Sequence, residues 1–150
     1  MKNGNSGVSD GLTVLLAEDD ENDVVLIRRA AKRVHMLDRL MRVTDGDEAI
    51  EYLRGVGKYE DRRTYPFPGV LVLDHGMPRL SGLDVVCWLR SELGFEGLPV
   101  VIFSNRFLPH HTEMAERLNA VCVLKTSSFA EIPHAIEAGI RSALRIADCR

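Results

Sequence analysis

The run Gly69-Val70-Leu71-Val72-Leu73 ends directly on Asp74. Three further apolar runs end in the same way. Leu12-Thr13-Val14-Leu15-Leu16-Ala17 leads into Glu18-Asp19, Leu98-Pro99-Val100-Val101-Ile102-Phe103 into Ser104, and Val121-Cys122-Val123-Leu124 into Lys125. If these runs are parallel strands of one sheet, their polar followers gather at its carboxyl edge, where open α/β sheets bind ligands. Acids, a hydroxyl and a lysine converging there suit a divalent metal and a phosphoryl group.

The segments between the runs read as helices. From Asp20 to about Met36, Val24, Ile27, Ala31 and Val34 recur at helical spacing. The acidic start and the basic end of that segment (Arg28, Arg29, Lys32, Arg33) complement the helix dipole. Asp20 reads as a helix cap, and Glu21 and Asp23 as solvated. Arg39 to Thr44 is a further strand candidate. Asp45-Gly46 reads as a turn, with Asp47 capping a short helix through Leu53. Gly55 to Pro68, rich in Gly, Pro and charge, reads as an ordinary surface loop. Ser81-Gly82 opens a helix through about Leu93, with Gly94 suited to its end. Another helix runs from about Pro109 to Leu118. In the last helix, Ser128 and Glu131 have capping-box spacing, but Pro133 would remove a backbone donor just inside it. The helix therefore begins nearer Glu131 or has an irregular first turn. Strand and helix alternate five times, which predicts an α/β fold with a parallel sheet covered by helices on both faces.

The 150 residues predict one domain over residues 11–150, with residues 1–10 a polar, disordered leader and no effector domain. The 19 basic and 22 acidic residues leave a net charge of −3, which argues against direct binding of nucleic acid, as does the lack of a basic stripe around Arg62-Arg63. No apolar run approaches the roughly 20 residues that span a bilayer, so a cytoplasmic protein without a membrane contact is expected. Cys87, Cys122 and Cys149 show no metal or disulfide spacing. Cys87 and Cys122 read as buried small hydrophobes and Cys149 as an exposed thiol.

The expected cluster has a definite chemistry. Glu18, Asp19 and Asp74 would repel one another and raise each other's pKa values, a cost that a cation removes. Oxygen ligands with few carboxylates suit Mg2+, which keeps waters and accepts a phosphate oxygen. Lys125 can pair with Asp74 and then with phosphate, Ser104 can donate a hydroxyl hydrogen bond, and an aspartate carboxylate can take up a phosphoryl group. A polar residue after a single strand is weak as a signal. Four in this order are a much stronger one.

With these residues assembled, the chain resembles bacterial response-regulator receiver domains over about residues 12–147. The likeness rests on Leu15-Leu16-Ala17-Glu18-Asp19-Asp20, on Asp74-His75-Gly76-Met77-Pro78-Arg79-Leu80-Ser81-Gly82, on Pro99 to Ser104 and on Leu124-Lys125. It implies a flavodoxin-like, doubly wound (βα)5 fold with strand order 2-1-3-4-5. It further implies that Asp74 accepts a phosphoryl group from a histidine kinase or phosphotransfer protein. Glu18, Asp19, Asp74 and the Gly76 carbonyl would hold Mg2+, and Ser104 and Lys125 the phosphoryl group. The loop Gly55 to Pro68, with Tyr59 and Tyr65-Pro66, is similar to that of small stand-alone receivers serving phytochrome-like or other hybrid kinases.

The chain departs from the family at several points. Thr126 follows the lysine where proline is usual, and Cys122 occupies the switch position where an aromatic residue is expected. Asn105 would narrow access to the phosphoryl site, Arg106 reads as solvated near its mouth, and His75 replaces an aliphatic residue and reads as packed. His110 and His111 read as an exposed helix start, and Trp88 as partly core. The function implied is a single-domain response regulator, in itself not an enzyme beyond its own phosphorylation and dephosphorylation. It would signal to a downstream protein partner through the fourth helix, fifth strand and fifth helix. The alternative is a binding module that signals without phosphate. A phosphohydrolase fits less well, since Gly76 stands where such enzymes need a second acid, and Glu18-Asp19-Asp20-Glu21 would repel a flavin phosphate. Ile136, Ile140, Ala143, Leu144, Ile146 and Ala147 predict an apolar helix face about 30 Å long that overhangs the domain and supports a homodimer.

Overall fold

A computed structural model describes residues 11–34, 37–92, 94–125 and 130–149. The strands are β1 (Leu12–Ala17), β2 (Leu37–Val43), β3 (Val70–Asp74), β4 (Val100–Ser104) and β5 (Ala120–Leu124). All pairings are parallel, in the order β2-β1-β3-β4-β5. The helices are α1 (Glu21–Arg33), α2 (Gly46–Arg54), α3 (Gly82–Ser91), α4 (Pro109–Arg117) and α5 (Ile132–Asp148). The parallel sheet with helices on both faces is the one expected from the alternation of elements, and the strand order is the flavodoxin-like, doubly wound one that the resemblance implies.

Alternate residues of the central strands serve two cores, which is why those strands read as unbroken apolar runs. Leu15, Ala17, Leu71, Leu73, Val100 and Ile102 pack with α2, α3 and α4. Val14, Leu16, Val70, Val72, Val101 and Phe103 pack with α1 and α5. No helix among the described residues is long and apolar enough to cross a membrane.

Several local expectations change. Asp20 caps α1 as expected, its carboxylate accepting the Asn22 and Asp23 N–H groups at 2.8 and 3.2 Å, but the helix ends at Arg33. The cap of α2 is Asp45, not Asp47. Asp45 is extended at φ −150° and ψ 176°, and its carboxylate accepts the Glu48 N–H at 2.8 Å, so Gly46 is the first helical residue. Only glycine fits there, because a Cβ would lie 2.9 Å from Leu80 Cβ and Val85 Cγ2. The segment Gly55 to Pro68 is a loop, as expected, and it is tied to α2. It contains a 3-10 turn (Gly57–Tyr59). Arg62 donates to the carbonyls of Tyr52 and Leu53 in the last turn of α2, both at 2.8 Å, and the Tyr52 hydroxyl donates to Pro66 O at 2.8 Å. Tyr59 is buried against Tyr52 and Tyr65 and donates to Glu48.

Cys87 is exposed and Cys122 half-buried, against the expectation that both are buried. Val85, Val86 and Leu89 take the core face of α3 and turn Cys87 outward. Cys149 is exposed as expected, and Trp88 is partly buried against Phe95. α3 ends at Ser91, short of the expected Leu93. The conflict at the last helix resolves through a late start. α5 begins at Ile132, with Pro133 in its first turn, where a backbone N–H has no partner within the helix. Ser128, Thr126 and the expected leader lie outside the described residues. At 17 residues α5 is about 25 Å long. Ile136, Ile140 and Ala143 of its apolar face are core, which leaves Ile146 as its exposed large hydrophobic residue.

Gly139 brings α5 onto β5. A Cβ there would lie 2.5 Å from Val123 Cγ2, a stiff β-branched group in a buried seam. Overpacking of this kind costs about 1–3 kcal/mol. Gly139→Ala is expected to lower the unfolding free energy measured in urea despite alanine's better helix propensity. The same substitution made on a Val123→Ala background is expected to cost little, and equal losses on both backgrounds would refute the contact.

Candidate functional site

The register of the sheet aligns the strand ends. Ala17 lies opposite Leu73, Asp74 opposite Phe103, and Ser104 opposite Leu124. Glu18, Asp19, Asp74, Ser104 and Lys125 therefore leave the same edge from four neighbouring strands. One carboxylate oxygen from each of Glu18, Asp19 and Asp74 lies within 4.8 Å of the others. Glu18 and Asp74 are buried, while Asp19 is exposed. Converging oxygen ligands with an open side toward water are the donor set of a hard divalent cation, so the residues present fit a metal. Gly76 lies at this edge too, its N–H donating to Asp74 Oδ1 at 3.1 Å.

Lys125 is not the exposed lysine common after strands, since its side chain is only 9% exposed. Its Nζ lies 2.7 Å from Asp23 Oδ2, 3.4 Å from Glu18 Oε2 and 3.5 Å from Asp74 Oδ1, and 4.6 Å from the centre of the Phe103 ring. Burial opposes its charge, but the bond to Asp23 and the charges of Glu18 and Asp74 outweigh that and raise its pKa. The expectation that Asp23 is solvated is thus overturned. Helix capping at Asp20 turns the first turn of α1 so that Asp23 faces back to the lysine. Glu21 stays outward and pairs with Arg42 at 2.6 Å.

Arg42, at the end of β2, was missed from sequence. Its guanidinium donates to the carbonyls of Glu18 at 3.0 Å and Asp19 at 3.1 Å, and so clamps the backbone of the acidic turn. Its position on the strand beside β1 was the available signal, but that depended on the exact register of β2 against β1.

Ser104 is buried. Its hydroxyl donates to the Arg106 carbonyl at 3.0 Å and accepts the Arg106 N–H at 3.3 Å. Asn105 and Arg106 are exposed. Cys122, opposite Ile102, packs against the core on the α2–α4 side, and burial raises its thiol pKa. The histidines are closer than their spacing suggested. His111 is half-buried, its Nδ1 accepting the Leu108 N–H at 3.1 Å, and its ring lies 4.5 Å from that of His75. His110 is exposed as expected. His75 is packed, as expected, 6.0 Å from the Phe107 ring, and its Nδ1 is sealed from solvent without a partner among the described residues.

This fold and this edge place the chain in the response-regulator receiver family. No family model matches it. The response regulator in red light signaling of R. palustris, RPA3017, superposes with a TM-score of 0.73 at 31% identity, covering 85% of this chain and 90% of that one. Response regulator Rcp1 of Synechocystis sp. is 25% identical over 114 residues, 76% of each chain. The Mn(2+)-bound form of Rcp1 superposes with a TM-score of 0.73 at 22% identity, covering 85% and 90% of the two chains. The protein is a two-component response regulator with a receiver domain, and the neighbours of its fold include the bacteriophytochrome response regulators RtBRR and AtBRR.

Burial pushes the Glu18 carboxyl up, the Asp20 N–H pulls it down, and the charge of Asp74 raises it again, leaving its pKa at about 7. The folded state therefore holds a proton that the unfolded state releases near 4.5. That contribution to stability is complete below pH 4.5 and is lost as the pH rises through about 7. The unfolding free energy of the wild type, measured in the absence of metal, is expected to fall between pH 5 and pH 8 relative to that of Glu18→Gln. Parallel curves for the two proteins would show that Glu18 keeps an ordinary pKa.

Proposed function

We propose that the protein is a single-domain response regulator whose Asp74 accepts a phosphoryl group from a histidine kinase or a phosphotransfer protein. The observation that carries this reading is the meeting of Asp74 with Glu18, Asp19 and Lys125 at one edge of the sheet. An Asp74 oxygen attacks phosphorus as the P–N bond to the donor histidine breaks, and the donor ring, protonated on its other nitrogen, keeps the bond's electron pair and leaves as a neutral imidazole. Little covalent chemistry is required of the protein, so positioning and charge neutralisation dominate. Mg2+, held by Glu18, Asp19, Asp74 and the Gly76 carbonyl, would neutralise the phosphoryl oxygens. Lys125 supplies a further positive charge, and Ser104 exchanges its hydrogen bond to the Arg106 carbonyl for one to a phosphoryl oxygen. The Mn(2+)-bound form of Rcp1 supports the choice of a divalent cation.

The exposed residues Met114 on α4, Leu124 on β5 and Ile146 on α5 offer apolar contacts to a downstream protein or a second copy of the chain. In this reading the domain works in the cytoplasm without contact to nucleic acid or membrane. Incubation with Mg2+ and a small phosphodonor is expected to add one phosphoryl group by intact mass, and Asp74→Asn to abolish the adduct. An equal adduct on Asp74→Asn, or none on the wild type, would refute the assignment. Cys122 favours a second reading, a binding module that signals without phosphate, because a thiol cannot swing a ring between exposed and buried positions. Its mark would be partner binding unaffected by Asp74→Ala.

A further inference from the structure

Lys125 has three acidic neighbours, and its shortest contact is with the one that does not belong to the converging metal set. The 2.7 Å contact to Asp23 is a charge-assisted hydrogen bond, whereas the 3.4 and 3.5 Å contacts to Glu18 and Asp74 are longer than such bonds usually are. The position of Asp23 is built into the fold. Its backbone N–H is held by the Asp20 cap at 3.2 Å, which fixes the first turn of α1. Its side chain is 19% exposed, so the pair is screened less than a surface pair.

We propose that Asp23 is a positioning residue that draws the Lys125 ammonium toward the α1 side of the site, nearer itself at 2.7 Å than Asp74 at 3.5 Å, until a phosphoryl group competes for it. The proposal rests on the reading of Asp74 as phosphoacceptor and adds to it a residue outside the receiver motifs quoted above. A divalent cation among Glu18, Asp19 and Asp74 repels the ammonium, and Asp23 gives the ammonium a place to go. Asp23 therefore favours metal binding, both through its own charge and by drawing the ammonium toward itself and lengthening its contact with Asp74 to 3.5 Å. It opposes phosphoryl binding for the same two reasons. Its charge repels the incoming oxygens, and the hydrogen bond to Lys125 must be shared or broken before the ammonium reaches them. The Phe103 ring beneath Nζ lets this exchange occur by rotation at the end of the side chain, with its stem in place. Removing Asp23 should thus push the two affinities in opposite directions. A loss of packing or of a metal ligand cannot do that.

The test compares the wild type, Asp23→Asn and Asp23→Glu. Mn2+ affinity is read by electron paramagnetic resonance, and beryllofluoride affinity, as a phosphoryl mimic, by NMR at saturating Mg2+. For a partly screened ion pair, Asp23→Asn is expected to weaken Mn2+ binding and tighten beryllofluoride binding, each by about three- to fivefold. Asp23→Glu, which keeps the charge, is expected to return both toward wild type. Both affinities weakening together, or neither changing, would overturn the role of Asp23 while leaving the phosphoacceptor reading intact. If the wild type binds Mn2+ but no beryllofluoride, the phosphoacceptor reading fails and the proposal fails with it.

Discussion

The ammonium of Lys125 lies between 2.7 and 3.5 Å from three carboxylates, and a fourth, that of Asp19, stands within reach of two of them. One positive charge cannot neutralise this group, and burial makes the surplus costly. The raised pKa of Glu18 is the direct result. A site in this condition takes up a cation or a proton readily, and the β-sheet sustains it by holding the strand ends in register. Arg42 and the capped first turn of α1 add to that rigidity, since both grip the short segment between β1 and the helix. The site is thus strained electrostatically but firm mechanically, the combination needed for an electrostatic event to move something elsewhere.

Much of this edge could be read from the chain because it depends on few unknowns. Once four apolar runs are taken as parallel neighbours, Glu18, Asp19, Asp74, Ser104 and Lys125 can only lie together, whatever the details of the helices. Asp23 and Arg42 depended on finer variables. Asp23 reaches Lys125 because of the rotation of α1 about its axis, which the Asp20 cap sets, and Arg42 reaches the acidic turn because of the register of β2. A one-residue change in either would have pointed these side chains elsewhere. The same limit explains Asp45 and Asp47. Both are good caps by composition, and the extended backbone at Asp45 together with the tight fit of Gly46 decides between them. Cys87 was misjudged because an apolar neighbourhood in sequence is not a buried face. On a helix the rotation decides, and Val85, Val86 and Leu89 claim the inner side.

Two departures from the usual receiver pattern, Cys122 and His75, lie on the side of the sheet that carries α3 and α4. Cys122 gives that side no ring to move, yet rings are present. His75, directly after Asp74, packs toward Phe107 and His111, and His111 in turn caps α4. The first turn of α4 is therefore joined to the segment following Asp74 by contacts between side chains. The polar edge and the apolar face of the domain are bridged at this point by short, stiff groups.

The close seating of Gly139 on Val123 has a mechanical consequence. With no side chain on Gly139, α5 rests directly on Val123 at a fulcrum near its middle, and roughly 13 Å of helical rod extends from it to Asp148. A small displacement of the β5 backbone, too slight to unsettle the sheet, would tilt that rod and sweep its tip through a larger arc. The absence of a methyl group at one position thus turns the helix into a lever arm.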